Sequence, residues 1–257
     1  MNTITPASAH HFLNNVELPE SSSGFEAIDR GPVIDFDAQK NQAMVVASDI
    51  VSFVKGVSAE RRQDIANCSL LAQLAANKKV PDKTRIIDWY KAYFDVLENL
   101  GWVLQDKGFS SYKEHADGLE AHEAIIKVAT VLLGPAPTAL ALVVSTLEAM
   151  KSMDPNKPWI TLFDRESKTL NTAHFQVSLA QPGENDDFFI TMMAFTLKAE
   201  SILTQVLFFK IRKDRVELEN CSGKVTVNDT VLESIRDKIK DKIKAYTNEY
   251  IAALPDL

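Results

Sequence analysis

The chain has 257 residues, 46% hydrophobic and 25% charged, a globular balance with room for one sizeable core or two small ones. Its net charge of −7 argues against a nucleic-acid partner, whose usual footprint is a basic stripe, and leaves only apolar or local attraction to an anionic membrane. Two cysteines, Cys68 and Cys221, are too few for a disulfide framework, so reduced thiols are expected.

Residues 1–33 are polar, with Ser21-Ser22-Ser23-Gly24 and Gly31-Pro32, and read as an extended arm with little regular structure. The arm lacks the basic and apolar regions of a classical secretory signal. From residue 34 to 257 a single domain is expected, with a possible sub-boundary near 154–158.

The periodicity from about 35 to 153 is helical. A helix is expected over 37–55, with Val46, Ile50, Phe53 and Val54 inward and Gly56 at its end. Ser58 reads as the N-cap of a second helix over 59–77. A third helix is expected from Pro81 to 105, a fourth from Tyr112 or His115 to Leu133, and a fifth from Thr138 to Ser152.

The fourth and fifth together contain the longest uncharged stretch, Val128 to Leu147, between Lys127 and Glu148. Its length approaches the roughly 20 apolar residues that span a bilayer. Gly134, Pro135 and Pro137 break it at the centre, because glycine takes positive φ and proline removes donors and disfavours helix before it. The stretch therefore reads as two apolar arms, carrying Val128, Leu132 and Leu133 on one side and Leu140 and Val143 on the other. Such arms suit a buried core hairpin first, with a hairpin that inserts into lipid as the alternative.

After residue 157 the period changes towards two. Trp159–Phe163 reads as β-prone, and 172–179 alternates through Phe175, Val177 and Leu179. A turn is expected over 181–186, strands over 188–197 and 203–211, and a hairpin pairing 207–211 with 216–218. The links are short, which favours antiparallel pairing. The last element reads as a long helix, 230–253, with capping-box spacing at Thr230 and Glu233. The whole is an α+β chain: a helical N-terminal half packed with an antiparallel sheet and closed by a long C-terminal helix.

No catalytic signature stands out. His115 and His122 lie seven apart with Leu119 between them, and no zinc spacing is present, so neither a metal nor a catalytic residue is expected. His174 is expected on an exposed strand face. Phe188, Phe189, Met192, Met193 and Phe195 read as core, or as the wall of a pocket for a lipid or small molecule. Cys68 lies on an apolar helix face. Cys221, in Asn220-Cys221-Ser222-Gly223, reads as a strand-end thiol at a turn, with Lys224 near enough to favour thiolate.

The order of elements, with Phe188-Phe189-Ile190-Thr191-Met192-Met193-Ala194-Phe195, then Val206-Leu207-Phe208-Phe209, then Val225-Thr226-Val227-Asn228 before a Lys-rich last helix, resembles the Evf bacterial virulence-factor family. That resemblance implies a non-enzymatic virulence factor that associates with membranes, with a palmitoyl thioester on a C-terminal cysteine; by position only Cys221 matches. It further implies a bacterial cytoplasmic origin, export without a classical signal peptide, and an unknown host factor as partner besides lipid. A helical pore-forming toxin inserting residues 128–147 and a lipid or small-molecule binding protein are the alternatives.

Overall fold

The computed structural model describes residues 4–20, 34–104, 110–111, 119–134, 137–154, 156–183, 188–200, 202–203, 205–207, 210–211 and 216–254. Its architecture is α+β, as the sequence implies, with several elements reassigned.

The arm contains a helix, α1 (Pro6–Asn15), where little regular structure was expected. Thr5 caps it: its hydroxyl accepts from Ser8 N, and the Ser8 hydroxyl accepts from Thr5 N. The helix expected over 37–55 is instead a hairpin, β1 (Gln42–Val46) and β2 (Asp49–Phe53), turning at Ala47 with φ +51°. Both strands are buried on both faces, so their apolar residues run nearly without interruption and imitate a helical stripe.

Next come α2 (Ala59–Lys79), capped by Ser58 as expected, and α3 (Ile86–Asn99). The latter stops short of residue 105 because Gly101 takes φ +91° and turns the chain into β3 (Trp102–Leu104). The short strands β4 (Ser110–Ser111) and β5 (Leu119–Glu120) precede α4 (Ala121–Leu133) and α5 (Pro137–Ser152). The Trp159–Phe163 segment is not a strand. It lies in α6 (Pro158–Ser167), where Pro158 at the first helical turn outweighs the β propensity of its neighbours.

β6 (Thr172–Pro182) and β7 (Phe188–Ala199) pair antiparallel from Thr172↔Lys198 to Pro182↔Phe188. β8 (Lys210–Ile211) pairs with β5, and among the described residues the expected pairing of 207–211 with 216–218 is not formed. β9 (Val216–Val227) pairs with β7 instead, from Ala199↔Val216 to Ile190↔Val225. The last helix is shorter than expected. α7 (Asp229–Ile243) is capped by Asn228, whose Oδ1 accepts from Val231 N at 3.2 Å, and α8 (Thr247–Tyr250) leads into β10 (Ile251–Ala253) on the sheet edge.

The main sheet runs β10-β1-β2-β6-β7-β9-β3, with β4 also on β9. It is mixed: β2 and β6 are parallel, Asp49↔Gln176 to Phe53↔Ala180, and the other pairs are antiparallel. Helices cover both faces. Met44, Val51, Met192, Ala194 and Cys221 point into a core with α1, α2, α3 and α7. Val45, Ile50, Phe175, Val177, Met193 and Phe195 point into a second core with α4, α5 and α6. The alternation of strand side chains divides the two cores along each strand.

Candidate functional site

The uncharged stretch forms the hairpin α4–α5, packed on β2, β6 and β7. Val128, Leu133 and Val143 are buried in the second core, and Leu132 and Leu140 are half-buried beside it. Gly134 ends α4 with φ +54°, exposed and with open space where a Cβ would stand. Pro135 lies outside the described residues, and Pro137 opens α5. One turn before the tip, Val131 is 83% exposed.

Polarity is partitioned along the hairpin. At its base the buried His122 ring lies 3.2 Å from Glu120, 3.6 Å from Glu148 and 3.4 Å from Lys151, and Lys151 also reaches Glu120 at 3.2 Å. Towards the tip there is no charge. Inside, Ser52 on β2 meets Thr146 on α5 at 3.2 Å. With 13 and 16 residues the helices are about 20 and 24 Å long, against a hydrocarbon core of about 30 Å. Among the described residues no helix is long and apolar enough to cross a membrane.

Cys221 is not at a turn. It lies within β9 opposite Ala194, Ser222 and Gly223 continue the strand, and the residue is buried against the α3 layer. Lys224 does not attend the thiol. It falls on the opposite sheet face, its Nζ 5.1 Å above the Phe189 ring. Cys68 is buried too, and burial pushes its thiol well above the usual range.

A cleft beside Cys221, between Phe94, Leu104 and Met192, has only about 10 Å³ of free volume. Such a space holds about one water, far short of a sixteen-carbon acyl chain. The cleft as it stands does not fit such a chain. Phe94 also walls a half-open groove of about 550 Å³ between α3 and β9, with Ile87 and Tyr90 on its floor and Lys91, Asp95, Glu98 and Glu219 around it.

The Phe and Met residues of β7 do not line one pocket. Phe188 and Met192 enter the first core, and Met193 and Phe195 the second. His174 is buried and not exposed. Its ring lies 4.2 Å from that of Trp89, and burial lowers its pKa to about 3. Among the described residues no group of three or more His, Cys, Asp or Glu is placed to hold a metal.

One polar cluster is marked by no sequence motif. Asp49 is buried between β2 and α2, and its Oδ2 accepts from Ser69 at 2.9 Å and Ser178 at 3.1 Å. Beside it Gln73 accepts from Ser48 N and Oγ and donates to Val46 O and Ser69. The only sequence signal was a lone acid in the apolar run Met44–Val54.

No protein-family model matches the chain, and no curated protein matches it. Two solved structures are similar in layout. One is a delta-endotoxin, 14% identical over 79% of this chain and 91% of that one, with a TM-score of 0.39. The other is the Evf virulence factor, 12% identical over 95% and 90%, with a TM-score of 0.40. At these scores the likeness is one of general layout alone.

Proposed function

We propose that the protein is a non-enzymatic bacterial virulence factor that works at membranes, with the α4–α5 hairpin as its lipid-reaching element. The observation that carries the membrane role is the partition of polarity along that hairpin: a charged base, and 20 uncharged residues centred on a tip, one turn from which Val131 is exposed. The virulence role rests on the sequence resemblance alone, which covers most of residues 35–253. Neither arm is long enough to span a bilayer, so the tip enters the interface or one leaflet, as a wedge. The negative net charge makes this attraction apolar, and salt should change it little.

Liposome flotation and dye leakage test the membrane role. Val131→Asp touches no buried contact, so folding stability should move by no more than about 0.5 kcal/mol. A carboxylate dragged towards hydrocarbon should weaken flotation and leakage at least about tenfold. Equal flotation of the two proteins, or none by the wild type, overturns the proposal.

The groove between α3 and β9 favours a second reading, a lipid or small-molecule binder. Its volume suits a drug-sized or acyl ligand. Ile87→Trp should fill the groove and abolish saturable binding of a fluorescent alkyl probe; absence of such binding to the wild type removes the reading. Acylation of Cys221 is a covalent version of it and requires the Phe94 ring to move. Intact mass before and after neutral hydroxylamine decides that point: a labile excess of one acyl group on Cys221 supports it, and the unmodified mass from an acyl-competent host removes it.

A further inference from the structure

Asp49 is 1% exposed, and its two carboxyl oxygens are unequal: Ser69 and Ser178 both donate to Oδ2, while Oδ1 has no partner among the described residues. A carboxylate buried as an anion needs donors on both oxygens or a cation beside it. The elements packed around it supply no cation. Around it stand Ser69 and Gln73 from α2, Tyr90 and Tyr93 from α3, and Gln176 and Ser178 from β6, with His174 further along that strand. Val46, its partner on β1, is apolar. The one imidazole, His174, is kept neutral by its own burial down to about pH 3. Tyr93 approaches Ser69 without completing a hydrogen bond from its hydroxyl.

A neutral carboxyl suits this environment better than an anion, because it removes the uncompensated buried charge. A neutral carboxyl carries its proton on Oδ1 and leaves Oδ2 as the acceptor for two hydroxyls. We propose that Asp49 is a buried proton-binding site, neutral in the folded protein, whose deprotonation loosens the α2–α3 layer from the sheet. The site faces the first core, away from the α4–α5 hairpin in the second.

Burial pushes the Asp49 carboxyl up to about 7, with the Ser69 and Ser178 hydrogen bonds opposing it, from an ordinary value of 3.8. The folded state therefore binds the proton more tightly than the unfolded chain. The stability this gives is complete below pH 3.8 and is lost as pH rises to about 7. Per pH unit in that window the Asp49 contribution lowers the folding constant about tenfold, and about a thousandfold in all.

Asp49→Asn keeps the shape and the acceptor and abolishes the titration. Folding constants of the full chain from urea unfolding, wild type against variant, are to be compared from pH 4 to 8. Their ratio should fall about tenfold per pH unit to about pH 7 and then level; a ratio that stays flat overturns the proposal. Should the variant fail to fold, carbon-13 NMR of the wild-type Asp49 carboxyl gives the same decision. A midpoint near 7 supports the site, and one near 4 overturns it.

Discussion

Ser52 on β2 and Thr146 on α5 meet at 3.2 Å, both buried, and the direction of the bond follows from the neighbours. Thr146 already donates to Leu142 O at 2.8 Å, so Ser52 is the donor and Thr146 the acceptor. The contact pins the apolar hairpin to the sheet by a directional bond among non-directional ones. Thr146→Val leaves the Ser52 hydroxyl buried without its acceptor, at a cost of about 1–3 kcal/mol. The urea midpoint should fall and, if release of the hairpin precedes lipid contact, liposome flotation should rise. A lower midpoint with unchanged flotation would mean that the hairpin reaches lipid without leaving the sheet.

Asp49 and His174 contribute pH dependences of opposite sign. Burial lowers His174 from 6.5 to about 3, so its contribution is complete above pH 6.5 and is lost as pH falls towards 3. Asp49 has the opposite sign between 3.8 and about 7. Where the windows overlap, from about 4 to 6.5, the two slopes offset one another in the wild type. His174→Gln should expose the Asp49 limb, with stability falling as pH rises. Asp49→Asn should expose the His174 limb, with stability rising. Urea midpoints at three pH values in the window suffice, and parallel profiles in all three proteins would refute the pairing.

Gly101 is a site where the backbone leaves no choice. Its φ is +91°, and a Cβ there would lie 3.1 Å from the Val231 side chain. Gly101→Ala combines left-handed strain with a clash against α7, and should cost more than about 1 kcal/mol. Thermal unfolding reads the loss, and an unchanged Tm would show that the turn relaxes freely.

The sequence was most legible where a local signal and the tertiary fold agree. Ser58 caps α2 at the expected residue, Phe175, Val177 and Leu179 alternate into one core, and Gly134 marks the tip of the hairpin. It misled where burial erases periodicity, as in Met44–Val46 and Ile50–Phe53, or where pairing with a distant strand overrides a local turn signal. Asn220-Cys221-Ser222-Gly223 has turn chemistry, yet pairing with Phe195 to Met192 holds it extended, so the thiol is buried. Of the candidate site, the hairpin was visible in composition. The α3–β9 groove was not, because Glu219 and Glu98 meet only through the fold.

Arg236 and Asp64 join α7 to α2 through two short bonds: Nε to Oδ1 at 2.9 Å and Nη2 to Oδ2 at 2.8 Å. Asp64 is 2% exposed, so burial raises its pKa, and Arg236 is the main influence opposing that rise. Removing the guanidinium alone leaves an uncompensated buried acid, and Arg236→Met should cost about 3–5 kcal/mol. The outer partner Glu60, 62% exposed, adds little. Asp64→Leu in the same chain removes the stranded charge and should recover much of the loss, because an apolar pair of similar volume often equals a buried ion pair. A double-mutant cycle in urea measures the coupling. Additive single losses would mean that Asp64 finds water or another donor when Arg236 is gone, and that α7 is held to α2 by its apolar face and the neighbouring Arg61–Asp229 pair.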